Sequence, residues 1–124
     1  MNKLVLLLFS IFTFQNCTNH KNISENEFNA QTWKDDKNAC QNKRKTLLSS
    51  FKNIAFKLKG MSEPELRRLL GSPDEIGLYK RHQKFYIYFI EAAPKCSGNL
   101  DLKPQKIYIR FSAINNVNEI TYRQ

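Results

Sequence analysis

The spacing of apolar and polar positions changes several times along the chain, and each change predicts an element. Residues 4–14 form an apolar run behind Met1, Asn2 and Lys3. Residues 18–29 are polar and poor in apolar side chains, which predicts a flexible tether. Over residues 35–53, Cys40, Leu47, Leu48, Phe51 and Ile54 fall on one helical face, so a first helix is expected there. Asp35 and Asp36 suit its positive N-terminal end. Lys43, Arg44, Lys45 and Lys52 are assigned mostly to its wet side. Residues 56–60 break the pattern.

A second helix follows, with a clear start and stop. Ser62, Glu63, Pro64 and Glu65 match a capping box, in which Ser62 accepts the amide of Glu65 and the Glu65 carboxylate reaches back. Met61 and Leu66 occupy the staple positions. Pro64 fits the first turn, where a missing N–H costs little. Leu66, Leu69 and Leu70 form the apolar face. Gly71 and Pro73 end the helix.

The remainder alternates with a period of two. A short strand is expected at 76–80 and a strong one at 84–91. In the latter, Phe85, Ile87 and Phe89 lie on one face, and Tyr86, Tyr88 and Ile90 on the other. A loop over 92–104 carries Cys96 and Gly98. A strand at 105–112 sets Ile107, Ile109 and Phe111 against Lys106, Tyr108 and Arg110. Asn115 and Asn116 suit a tight turn, and 117–122 is the returning strand. Helices followed by a meander predict an α+β fold, with two N-terminal helices packed on a three- to four-stranded antiparallel sheet. Trp33 is expected to be an anchor of the core or its edge.

Cysteines and charge add a setting to this pattern. A basic start, a short apolar run and a processing point have the layout of a signal peptide. The run is too short to span a bilayer, which takes roughly 20 apolar residues. Cys17 stands at the junction and looks like the lipidation site of a bacterial lipoprotein, although Phe14, Gln15 and Asn16 depart from the usual aliphatic and small residues. The expected organisation is a lipoprotein signal peptide at 1–16, a lipidated Cys17 opening a tether at 17–30, and a single domain at 31–124. In an exported chain, Cys40 and Cys96 read as one disulfide. With two His and irregular Cys spacing, no zinc pattern is present. The formal charge is +9, from 20 Lys and Arg against 11 Asp and Glu. Outside the cytosol such a balance suits acidic protein surfaces, anionic lipid or lipopolysaccharide, and nucleic acid is not expected.

No catalytic constellation is visible. His20 lies in the tether and His82 in a basic turn, and no nucleophile pairs with either. Asp35 and Asp36, like Asp74 and Glu75, read as helix-start and turn residues. Isolated glycines make no phosphate loop, so neither an enzyme nor a cofactor is expected. Tyr86, Tyr88, Tyr108 and Tyr122, interleaved with Arg110 and Lys106, are expected to collect on the sheet face away from the helices. There they form a candidate docking face. Arg67 and Arg68 are assigned to the wet side of the second helix.

The stretch from Gly60 through Met61, Ser62, Glu65, Leu66, Leu69, Leu70 and Gly71 to Pro73 resembles the opening element of the SmpA/OmlA family. That family includes the small lipoprotein subunit of the outer-membrane β-barrel assembly machine. A similar element starts the repeats of β-lactamase-inhibitor proteins. Tyr86, Ile87 and Tyr88 resemble the aromatic strand that follows, and residues 107–111 and 115–120 resemble the closing hairpin. The resemblance covers about half the chain. Residues 33–44, with Cys40, have no counterpart in it and look more like an envelope lipoprotein family sharing the same core. It implies a lipid-anchored, non-enzymatic protein of the cell envelope. Such a protein is expected at the outer membrane facing the periplasm, binding a partner protein there. An inhibitor of an exported enzyme, or a basic module for anionic lipid or lipopolysaccharide, are the alternatives it leaves open.

Overall fold

The computed structural model describes residues 22–124. The apolar run, Cys17 and His20 lie outside the described residues. Among the described residues four α-helices accompany one sheet: α1 (Ala30–Asp35), α2 (Lys43–Leu58), α3 (Glu63–Leu70) and α4 (Pro94–Ser97). The strands are β1 (Glu75–Leu78), β2 (Lys84–Phe89), β3 (Lys106–Phe111) and β4 (Val117–Arg123), all antiparallel in the order β1-β2-β3-β4. The α+β class and the order of helices before sheet are as the sequence predicts. Three helices rather than two precede the sheet. No helix of the described residues is long and apolar enough to cross a membrane.

The first helix differs from its expected span of 35–53. Asn38, Ala39 and Asn42 all have positive φ, and such backbone cannot continue a right-handed helix. The chain therefore makes α1, a 3-10 turn at Lys37–Ala39 and then α2, which runs on to Leu58. Cys40 sits in the connection and not on the helical face. Asp36 still serves a helix N-terminus, but from outside it. Its buried carboxylate accepts the amides of Gln41 at 2.8 Å and Arg44 at 3.0 Å, the second a donor that the first turn of α2 would leave unpaired.

Residues 23–30, expected to belong to a flexible tether, are part of the fold. Phe28 is 2 % exposed and lies against Trp33 and Phe51, with ring centroids 5.6 and 6.0 Å away. Ile23 packs on the same core, and Glu27 pairs with Lys57 of α2. The domain thus begins before residue 31. Trp33, fully buried, stacks on Phe51 at 5.2 Å and is a core anchor.

The start and stop of α3 follow the sequence. Ser62 Oγ accepts the Glu65 amide at 3.4 Å and the Glu65 carboxylate accepts the Ser62 amide at 2.7 Å. Gly71 closes the helix at φ 76° and ψ −177°, a region that is essentially glycine-only. A Cβ there would also meet Lys34 Cγ at 3.1 Å. Gly71→Ala is therefore expected to destabilise by about 1–3 kcal/mol, measured by urea unfolding. Unchanged stability would show that the helix end relaxes freely.

The core lies between the helices and one sheet face, where Phe51, Ile54, Leu58, Leu66 and Leu70 meet Tyr86, Tyr88, Ile107, Ile109 and Phe111. Burial along β3 alternates residue by residue, the pattern of a strand with one covered face. Register then fixes β2, because Tyr86 stands opposite Ile109 and Tyr88 opposite Ile107.

Candidate functional site

The register divides the residues expected to form a single docking face. Tyr86 and Tyr88 belong to the core side and are 1 % and 0 % exposed. Tyr122 pairs with Ile107, and its ring meets Phe51 edge-on at 6.4 Å. Tyr108 and Arg110 face the other way, in register with Ile87 and Phe85. Both faces of β2 are apolar, so alternation alone does not tell which one the helices cover. The candidate docking face therefore loses Tyr86, Tyr88 and Tyr122 and keeps Tyr108 and Arg110.

Around those two residues the outer sheet face forms a groove of about 230 Å³, lined by Tyr79, Phe85, Tyr108, Arg110, Glu119, Thr121 and Arg123. Its floor is a chain of edge-to-face rings, with Tyr79 to Phe85 at 5.5 Å and Phe85 to Tyr108 at 6.2 Å. Cations lie over these rings: Arg110 is 5.8 Å from Tyr79 and Arg123 is 5.2 Å from Tyr108. Arg110 also bridges Glu119 at 2.7 Å and donates to Gln83 at 3.3 Å. Arg110 Nε and Thr121 Oγ1 are buried without a hydrogen-bond partner among the described residues. Two arginines against one glutamate leave the groove net positive, and its chemistry is recognition by aromatic and guanidinium surfaces.

On the core side the tyrosines act structurally. The Tyr86 hydroxyl donates to Glu63, which also pairs with Lys84 at 2.5 Å. Tyr88 donates to the Gly71 carbonyl at 2.8 Å. Burial, then the Glu63 carboxylate, push Tyr86 up to about 12. Burial also raises Tyr88 and Tyr122. For Glu63, burial acts upward, but the hydrogen bonds from Lys84 and Tyr86 outweigh it and hold the carboxyl below its usual range. An unfolded phenol titrates near ~10. The stability held in these raised phenols is full below that pH and is lost as pH rises through the folded values. Unfolding free energy is thus expected to fall from about pH 10 toward pH 12, the value for Tyr86, with Tyr86→Phe flattening the slope. Denaturant unfolding over that window, read beside phenolate absorbance, checks it; an unchanged slope in Tyr86→Phe counts against it.

Sequence reasoning did not find a buried charged knot beside the disulfide. Arg44 is 1 % exposed. Its guanidinium ion-pairs with Asp74, and it donates to the Trp33 carbonyl at 3.0 Å and the Phe89 carbonyl at 3.3 Å. It lies 4.9 Å from the Trp33 ring centroid. Asp74, its side chain wholly buried, further accepts the amides of Asn38 at 3.0 Å and Phe89 at 2.9 Å. The knot joins α2, the 3-10 turn, the entry to β1 and the end of β2. With Arg44 and Asp74 closed to solvent, it holds these elements together. The available signal was spacing: Arg44 stands on the helical stripe of Leu47, Leu48, Phe51 and Ile54, where a charge requires a buried acid.

Cys40 and Cys96 form the expected disulfide, with Cα atoms 5.4 Å apart. Beneath it Ala39, Phe89 and Ala93 make a small second core. No family model, curated protein or solved structure matches the chain.

Proposed function

We propose that this is a non-enzymatic, lipid-anchored protein of the cell envelope that binds another protein through the outer face of its sheet. The observation that carries the reading is the groove: an aromatic floor with two arginines laid over it. Aromatic and arginine side chains are the residues that most often dominate protein interfaces. The signal-peptide layout with Cys17, and the disulfide, suit an exported chain. The resemblance of the α3 region to small outer-membrane lipoproteins supports work in envelope assembly or maintenance, at the level of fold analogy.

A photo-crosslinking residue in place of Tyr108 tests this in intact cells. A discrete protein adduct is expected. Tyr108→Ala and Arg123→Glu are each expected to cost at least about 2 kcal/mol of binding to the captured partner, with the fold retained. Absence of any adduct at position 108, in cells where the protein is abundant and folded, removes the reading.

A further inference from the structure

The early start of the domain has a consequence for how an anchored molecule sits. The chain already packs on the core at Ile23, and Glu27 is tied to Lys57. From Cys17 to Ile23 even a fully extended chain reaches at most about 22 Å. Under the lipid-anchor reading, on which this inference rests, the domain cannot roam far from the bilayer. The part of α2 beside Lys57 lies nearest the point of entry.

That part of the surface has a definite composition. Lys45, Ser49, Lys52 and Phe56 fall on one outward stripe of the helix, Lys59 follows at its C-cap, and all are exposed. Phe56 is 65 % exposed between two lysines. The turn joining β3 to β4 lies at the same end. It is held against the segment between α2 and α3, with Val117 donating to the Met61 carbonyl at 2.8 Å and Glu63 to the Asn115 carbonyl at 3.2 Å. This turn presents Ile114, 77 % exposed. Lys45 has part of its charge offset by Glu91 at 3.3 Å, and the Lys52 ammonium lies 5.3 Å from the Tyr122 ring centroid. An exposed phenylalanine flanked by lysines and an exposed isoleucine, at the end where the chain arrives, fit an anionic bilayer surface. Lysines are drawn to the headgroups over about a Debye length, and apolar tips enter the boundary between headgroups and acyl chains.

We propose that the outward stripe of α2 and the β3–β4 turn rest on an anionic bilayer, with Phe56 and Ile114 at headgroup depth. The helices and the groove lie on opposite sides of the sheet, so this seating turns the groove toward the aqueous side, where a soluble partner meets it. The short reach supplies the local concentration that lets so small a contact count.

The test uses the full chain purified from membranes and placed in phosphatidylcholine and phosphatidylglycerol vesicles with brominated acyl chains. Tryptophan is introduced singly as Phe56→Trp, Ile114→Trp or, as the control, Leu100→Trp. Position 100 is 82 % exposed and lies in the loop tied by Cys96 to Cys40, before the start of α2 and away from Phe56. The native Trp33 is fully buried and gives a common background. Quenching at 56 and 114 is expected to be at least about twofold that at 100, as for side chains roughly 5–10 Å into the interface. Co-flotation with equal quenching at all three positions overturns the seating while leaving the anchor intact. Wild type and Cys17→Ser that both fail to float overturn the anchor reading and the seating with it.

Discussion

Asp74→Ala is expected to lower the unfolding free energy by about 3–5 kcal/mol, because it leaves the guanidinium of Arg44 buried without its counter-charge. The residual partners of Arg44 would be the carbonyls of Trp33 and Phe89, which carry no charge. The same substitution removes the acceptor for the amides of Asn38 and Phe89. Arg44→Met is expected to cost less. It fits an unbranched apolar chain between Trp33 and Tyr88, and Asp74 keeps both amides and Lys37 at 3.6 Å. The double variant is expected to fall short of the sum by about 0.5–3 kcal/mol, since the two side chains share one interaction. Urea unfolding of the four proteins gives all three quantities. A loss under about 1 kcal/mol in Asp74→Ala would falsify the view that this knot joins the helices to the sheet.

The knot also shows why part of the fold was legible in the sequence and part was not. Local chemistry announces itself. Ser62 and Glu65 carry their capping geometry within four residues, and the alternation of Ile107, Ile109 and Phe111 with polar neighbours marks the covered side of β3. Both were readable because the partners are close in the chain. The side chain of Arg44 finds its partner at Asp74, across two helices, and nothing near Arg44 distinguishes it from the exposed Lys43 and Lys45 except position on the apolar stripe. The docking face failed for a related reason. Tyr86 and Tyr108 share an aromatic character, but the pairing of Tyr86 with Ile109 places them on opposite sides. One residue of register reverses a face, and register belongs to the pair of strands. The break between α1 and α2 rests on positive φ at Asn38, Ala39 and Asn42. Asparagine tolerates that backbone, yet an alanine there gives no warning.

Loss of the Cys40–Cys96 disulfide is the other large expected effect. The bridge closes a separation of 56 residues, for which chain entropy predicts about 4 kcal/mol of stabilisation, acting mainly on the unfolded state. A domain of this size typically has only about 5–15 kcal/mol in total. Cys40→Ala with Cys96→Ala is therefore expected to move the urea midpoint far down and to raise the m-value, because the unfolded chain expands once the loop is open. Amide exchange separates this effect from local loosening. Ala39, Phe89 and Ala93 are too small a cluster to hold the α4 loop as the main core holds β3. Amides around Ala93 and Cys96 are thus expected to exchange by local opening in the variant, while Ile107 and Ile109 exchange only with global unfolding. A midpoint and m-value equal to wild type would assign the loop to the Arg44–Asp74 knot instead. The native state would then hold the α4 loop without the bond.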